Sequence, residues 1–274
     1  WPNGYVTLGH ALLSESREYE RGVTAAVNAS VQPLLERYVA RLADELAAKG
    51  YARDLLVMNG NGGMVAAKDV AKEAVKTVMS GPASGVLAAV ATGRRAGMAN
   101  LLTYDMGGTS TAVAMIKAGV APVSNEIEVE YAMPIHVPMV DVRTVGAGGG
   151  SIARVDQGGM LRVGPESAGS YPGPICYGRG GDLVTISDAN LLLGRLPAHR
   201  FGQAVEAARA AMEAQIARPL GLSVEEAAEA VVRIANTHMA GAIRMVSISM
   251  GADPRDFALF AFGGAGPLHA AEVA

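Results

Sequence analysis

The sequence predicts an α/β fold, on three observations. Apolar residues recur at helical spacing in the first and last thirds of the chain. Short β-type runs separated by glycine turns fill the middle, from Leu101 to about Gly164. A hydrophobic strand, a glycine turn and the start of a helix then follow one another from Phe257 to Ala274, so strands and helices mix within one chain.

The elements follow in order. From Tyr19 to Lys49 the spacing of Val27, Val31, Leu34, Tyr38, Leu42 and Leu46 predicts a helix. Gly50 supplies its stop signal, and Pro33 predicts a kink or a break. "DLLVMNGNGGM" (Asp54–Met64) reads as a short buried strand entering a glycine-rich turn, followed by a second helical stretch. "SGPASGVLAAVATGRRAG" (Ser80–Gly97) reads as a turn feeding a helix of small residues. The β runs of the middle are "LLTYDM", "TAVAMI", "HVPMVDVRTV", "SIARVD" and "MLRV", the last two joined by Gln157-Gly158-Gly159 as a hairpin. A Gly- and Pro-rich loop, Gly164–Gly181, is long for a connection inside a compact domain and suggests a functional role or an interface. Ser223 and Glu226 form a capping-box signature before a long apolar-periodic helix ending near Gly251. No repeat of solenoid period is present.

Composition narrows the function classes. The chain has 274 residues, 50% hydrophobic and 18% charged, which allows one large domain or two ordinary ones and argues against disorder. A formal net charge of −3, without clustered Lys and Arg, argues against nucleic acid as a partner. The single cysteine, Cys176, excludes an internal disulfide and suits a reducing cytoplasm. No apolar segment is long enough to span a bilayer. The chain opens on Trp1-Pro2-Asn3 without an initiator Met and stops at Ala274 inside a helical pattern, so it is expected to be a piece of a longer polypeptide.

Three glycine turns carry the chemistry. Asp105-Met106-Gly107-Gly108-Thr109-Ser110-Thr111 lies between two β runs, as at a hairpin tip. Glycines there let backbone N–H groups approach a phosphate, and Thr109, Ser110 and Thr111 add donors. Asp105 would repel a bare phosphate but suits Mg²⁺ or its waters. Taken alone, the same turn also fits a plain hairpin tip. Phe262-Gly263-Gly264-Ala265-Gly266-Pro267 follows a strand and opens a helix, which makes either an anion site or simply a tight connection. Gly146-Ala147-Gly148-Gly149-Gly150-Ser151 has neither dinucleotide nor P-loop spacing, and its entropic cost implies function or close packing. The five histidines show no metal-ligand spacing; His269 stands out because it lies one turn inside the last helix. Cys176 is a possible nucleophile, although a lone cysteine is more commonly a small packed hydrophobe.

Together, "MSGPASGV", "YDMGGTSTAV", the block from "VPMVDVRTVGAGGGSIARVDQGG" to "PICYGRGG", "ISDANLLLGRL" and "AFGGAGPLHA" resemble the core region of the hydantoinase/oxoprolinase family, A-type subunit. The resemblance covers most of the chain. It implies a ribonuclease-H-like fold of the actin, sugar kinase and Hsp70 superfamily, in which two such lobes close on ATP. Residues 1–98 would be connecting helices and part of the first lobe, and residues 99–274 the second lobe. The family's second Asp-x-Gly-Gly-Thr turn falls on Asp105–Thr109, whereas the first would precede Trp1. The resemblance makes Asp105 and Thr109 the candidate catalytic residues, with Asp105 also the metal ligand. Gly107, Gly108, Thr109, Ser110, Thr111, Gly263, Gly264 and Gly266 would bind the nucleotide.

The implied chemistry is ATP-dependent opening of a cyclic amide such as 5-oxoproline or a hydantoin, through phosphorylation of the carbonyl oxygen, with ATP and Mg²⁺ as cofactors. A B-type subunit or fused segment of the same family is the implied partner, and a homo-oligomer is compatible. Relatives that serve as ATP-using subunits of ketone carboxylases give one alternative. A non-catalytic nucleotide-binding assembly module gives another. Where the family turn usually continues to an aspartate, this chain has Ala112, which puts turnover in question. The stretch after "GRLPAHRF" is also shorter than the family pattern.

Overall fold

The computed structural model describes residues 4–14, 17–130 and 133–274; the Trp1-Pro2-Asn3 opening lies outside the described residues. Along the chain come α1 (Gly9–Leu12), α2 (Glu18–Ala48), β1 (Leu56–Met58), β2 (Met64–Ala66), α3 (Ala67–Val70) and α4 (Ser80–Arg95). The β-rich middle holds β3 (Leu101–Met106), β4 (Thr111–Ile116), β5 (Val123–Ser124), β6 (Ile127–Glu130), β7 (Met133–Ile135) and β8 (Met139–Val140). It continues with β9 (Arg143–Val145), β10 (Ser151–Val155) and β11 (Leu161–Ser167). The last third carries α5 (Ile186–Leu192), α6 (Ala204–Met212), α7 (Arg218–Leu220), α8 (Val224–Ser249), β12 (Ala258–Phe262) and α9 (Gly266–Val273).

The chain forms two compact units, one of residues 1–92 with 120–141 and one of residues 93–119 with 142–274. The division departs from a single cut at residue 98, because the segment 120–141 pairs within itself. β5 pairs β8, and β6 pairs β7, all antiparallel. The run "HVPMVDVRTV" is therefore not one strand: β8 closes a ladder in the first unit, while β9 joins β4 in the second.

In the first unit α2 continues through Pro33, where a kink or a break was expected, without breaking. The ring removes one N–H and its bond to Ala29, but partners on the buried stripe hold the helix on both sides. Asn28 donates to Thr7 Oγ1 (2.9 Å) and to Lys72 O (3.2 Å), and accepts from the Val75 N–H (2.9 Å). The backbone N–H of His136 donates to Thr24 Oγ1 at 3.0 Å. Val23 and Val27 pack against Val75, Ile135, Val137 and Met139. β1 is half-exposed rather than buried, because it pairs only with β2 in a two-stranded hairpin.

The second unit is built on a four-stranded mixed sheet in the order β12-β3-β4-β9. β3, β4 and β9 form an antiparallel meander, and β12 adds in parallel beside β3. This is the α/β, mixed-sheet architecture expected of a ribonuclease-H-like domain. β3 and β4 are almost wholly buried, as strands covered on both faces are. α8 packs against β4, β9 and β11, and against α5 and α9. The expected capping box starts α8: Ser223 accepts from the Glu226 N–H and Glu226 answers the Ser223 N–H. Its inward stripe, Ala228, Val231, Val232, Ala235, Met239, Ala242 and Val246, joins Tyr104, Met106, Val113 and Met115 in one core. The β10–β11 hairpin forms as its glycine pair predicts. Among the described residues, no single helix is long and apolar enough to cross a membrane.

His269 of α9 is fully buried, and its pKa is held down to about 4 by loss of solvation, with Arg195 adding to the shift and Glu272 opposing it. Protons are therefore taken up on unfolding between about pH 4 and the ordinary histidine value near 6.5. This contribution to stability is complete above that window and is lost as pH falls through it. Urea titrations should show stability dropping by roughly 3 kcal/mol more between pH 7 and pH 4 in the native protein than in His269→Gln. Equal slopes would refute the assignment.

Candidate functional site

The predicted hairpin tip forms. β3 and β4 pair from Leu101↔Ile116 to Met106↔Thr111, leaving Gly107–Ser110 as the turn, closed by the Gly107 N–H donating to Ser110 O at 2.9 Å. Gly108 and Thr109 are exposed and Ser110 is half-buried. Among the described residues, the N–H groups of Gly108, Thr109 and Ser110 and the hydroxyls of Thr109 and Ser110 have no hydrogen-bond partner. Three successive free amides on a turn make an anion-binding concavity.

Asp105 stands at the end of β3 beside this turn. It is half-buried, and no described residue donates to its carboxylate or pairs with it. Burial alone raises its pKa above the usual carboxylate range. An unpaired carboxylate losing solvation is stabilised by a cation, and among the described residues no cluster of three His, Cys, Asp or Glu forms a metal site. One carboxylate is enough for Mg²⁺ when phosphate oxygens and waters complete the shell. Asp105 fits such an ion. Ala112 lies directly opposite Asp105 in the β3–β4 register, on the same face of the sheet. The departure from the family pattern therefore falls next to the metal-ligand candidate.

Thr111 behaves differently from its neighbours. Its side chain is fully buried and its hydroxyl donates to Ala147 O at 2.5 Å. That donor is spent inside the unit, where it holds the third glycine run, because Thr111 already belongs to the ladder.

The third run explains its own composition. The Gly149 N–H donates to Gly107 O (3.0 Å) and the Gly150 N–H to Gly108 O (2.6 Å). A Cβ on Gly148 would fall 2.6 Å from the Thr109 carbonyl carbon and 2.7 Å from Ser110 N. Gly146–Ser151 is thus the backing of the tip, packed backbone to backbone. Its far side is held in turn by the Ser187 N–H on Gly149 O (2.7 Å) and the Ala168 N–H on Gly150 O (2.8 Å). Sequence alone flagged the run as unusual but did not connect it to Gly107–Ser110, and it gave Ser187, inside the "ISDANLLLGRL" segment, no role of its own.

The last glycine turn closes the other side. β12 runs beside β3 with Phe262 level with Asp105, and the Ala265 N–H donates to Met106 O at 3.0 Å. Gly263 has φ +84° and backs directly onto the Asp105 carboxylate and Met106 O, so a Cβ there would be both strained and in collision. Gly264 is exposed, and a Cβ on Gly266 would meet Tyr104 O at 3.3 Å. Asp105, Gly107–Ser110 and Gly263–Gly266 are brought together as the sequence suggested. Cys176 is not among them. It is buried, its N–H bonds Asp188, and burial together with that carboxylate pushes its thiol pKa up, so it is a packed, inert thiol. A groove of about 1080 Å³ between β10–β11 and α8 includes Gly146 and Ala147 but none of the tip.

The hydantoinase/oxoprolinase family profile matches residues 21–274. The caprolactamase alpha subunit of Pseudomonas jessenii is 41% identical over the whole chain, which spans 40% of that relative's length. The crystal structure of the ATP-dependent caprolactamase from Pseudomonas jessenii superposes with a TM-score of 0.79 at 40% identity, over 98% of this chain and 39% of that one. Nucleotide-free acetone carboxylase, solved in a study of ATP-dependent acetone carboxylation, gives a TM-score of 0.86 at 32% identity, over 97% of this chain and 38% of that one. The chain belongs to the hydantoinase/oxoprolinase family.

Proposed function

We propose that the tip is the phosphate-binding half of an ATP site in an enzyme that opens a cyclic amide. The observation that carries this is the run of three unpartnered N–H groups beside an unpaired, half-buried carboxylate. The amides of Gly108, Thr109 and Ser110 would donate to phosphate oxygens, with the Thr109 and Ser110 hydroxyls beside them. Asp105 would hold Mg²⁺ or its waters. Gly263, Gly264 and Gly266 would let the backbone of the second turn lie along the nucleotide. When bound, ATP supplies the phosphoryl group that, placed on the amide carbonyl oxygen, makes the carbonyl carbon a reactive electrophile, so that the ring nitrogen can leave after attack. The protein's part is positioning and charge neutralisation.

The named activity of the caprolactamase relative supports a lactam or related ring as substrate, and its designation as an alpha subunit supports a partner subunit. The unit of residues 93–119 with 142–274 would serve as the second lobe of the ATP clamp, and the other unit as part of the first lobe and its connection. The similarity to acetone carboxylase supports a second reading, a ketone carboxylase subunit. The two separate cleanly: lactam-stimulated ATP hydrolysis by the full-length protein with its partner supports the first, and bicarbonate-dependent ATP use with a ketone supports the second. Stimulation by neither would leave the nucleotide-binding assembly module.

Three substitutions test the site in the full-length protein. Asp105→Ala should abolish the Mg²⁺ dependence of ATP binding in calorimetry; unchanged affinity with Mg²⁺ would remove Asp105 from the site. Gly148→Ala should displace the tip and lower kcat/KM for ATP by roughly 100-fold, with the fold kept by circular dichroism. Ala112→Asp puts a second carboxylate on the same face, its Cβ about 5 Å from that of Asp105, and should lower the Mg²⁺ concentration needed for half-maximal turnover by about tenfold. No change in Mg²⁺ requirement or turnover would mean that Ala112 does not limit this enzyme.

A further inference from the structure

The geometry points to His269 as a positioning residue that locks the two glycine turns at one spacing, an inference that rests on the nucleotide-site reading above. Nδ1 of His269 lies 2.7 Å from Asn236 Oδ1, and Nε2 lies 3.0 Å from Asn190 Nδ2. The Asn190 NH₂ can only donate, so Nε2 accepts and Nδ1 carries the proton. The neutral imidazole thus has one donor and one acceptor, both used. Asn236 in turn donates to Glu272 Oε2 at 2.5 Å, and Glu272 pairs with Arg195.

These bonds join three helices at the site. His269 lies one turn into α9, directly behind the Gly263–Gly266 turn. Asn190 lies on α5, three residues after Ser187, whose N–H holds Gly149 O. Gly149 holds Gly107 of the tip. A continuous path of bonds and helix backbone therefore runs from the Gly263–Gly266 turn, through His269 and α5, to the backing of the Gly107–Ser110 tip. An apolar side chain could fill the same volume in the core. Asn190 is kept although its own buried Oδ1 accepts nothing among the described residues, which favours the bond to His269 as the reason for the amide. Two turns that must hold one nucleotide between them need their separation fixed to a fraction of an ångström.

The test uses the full-length protein with its partner subunit and a non-hydrolysable ATP analogue with Mg²⁺. His269→Leu should raise the dissociation constant about tenfold, whereas His269→Gln, which can still donate and accept, should stay within about threefold of the native protein. Hydrogen exchange should quicken in His269→Leu at both the Ala265 and the Gly149 amides, although Gly149 lies on a separate element that a merely local packing defect would not loosen. A folded His269→Leu with native affinity, or exchange that quickens at Ala265 alone, overturns the proposal. So does a His269→Gln as weak as the leucine variant. If His269→Leu does not fold, Asn190→Ala is judged by the same two measurements. If the native protein binds no nucleotide, the ATP-site reading fails and takes this inference with it, whereas native binding with an indifferent His269→Leu sinks this inference alone.

Discussion

The rest of the second unit depends on one contact, the approach of the Gly148–Gly150 backbone to the Gly107–Ser110 turn. Two amide hydrogen bonds cross it, and no side chain fits between the two strips of backbone. The contact serves as both support and selection. It removes the inward-facing carbonyls of Gly107 and Gly108 from competition, because they accept from Gly149 and Gly150. The outward-facing amides stay unpartnered. A turn left to itself would be mobile; backed in this way it can present three donors in a fixed array, and donors that need no reorganisation stabilise charge best.

The electrostatics of the tip follow from the same packing. Gly263 seals one side of Asp105, and the β3–β4 ladder brings Ala112, not a charged residue, opposite it. The carboxylate thus loses water without gaining a partner, and its pKa rises. Around this open chemistry the supporting groups are closed. Thr111, Asp188, Asn236 and His269 are buried with their hydrogen bonds directed at backbone or at neighbouring side chains. Such networks hold elements in register, while the donors of the tip stay free.

Much of the fold was legible because it is written locally. The α8 capping box, the β10–β11 hairpin at Gly158-Gly159, and the strand–turn–helix from β12 to α9 all depend on residues within a few positions of one another. The errors came where distant partners overrode local signals. Pro33 allowed either a kink or a break, and α2 runs on unbroken because Asn28 and Thr24 are bound to other segments. "HVPMVDVRTV" divides between two sheets, because β5 and β4 compete for its two ends. The candidate site shows the same split: the glycine turns were recognisable along the chain, whereas only the fold shows that the Thr111 hydroxyl is taken up by Ala147 O.

By itself the sequence determined the residue types of the tip, the order of its glycine turns and the family to which they belong, since each is a pattern along the chain. Tertiary structure decided which glycines are left exposed and which face other backbone. It also turned His269 from an isolated histidine into the link between α5, α8 and α9. The reason is physical: a glycine gives the same signal in sequence whether the missing Cβ makes room for phosphate or for another peptide. Only the packing of β9, β10 and α5 against the β3–β4 hairpin distinguishes the two.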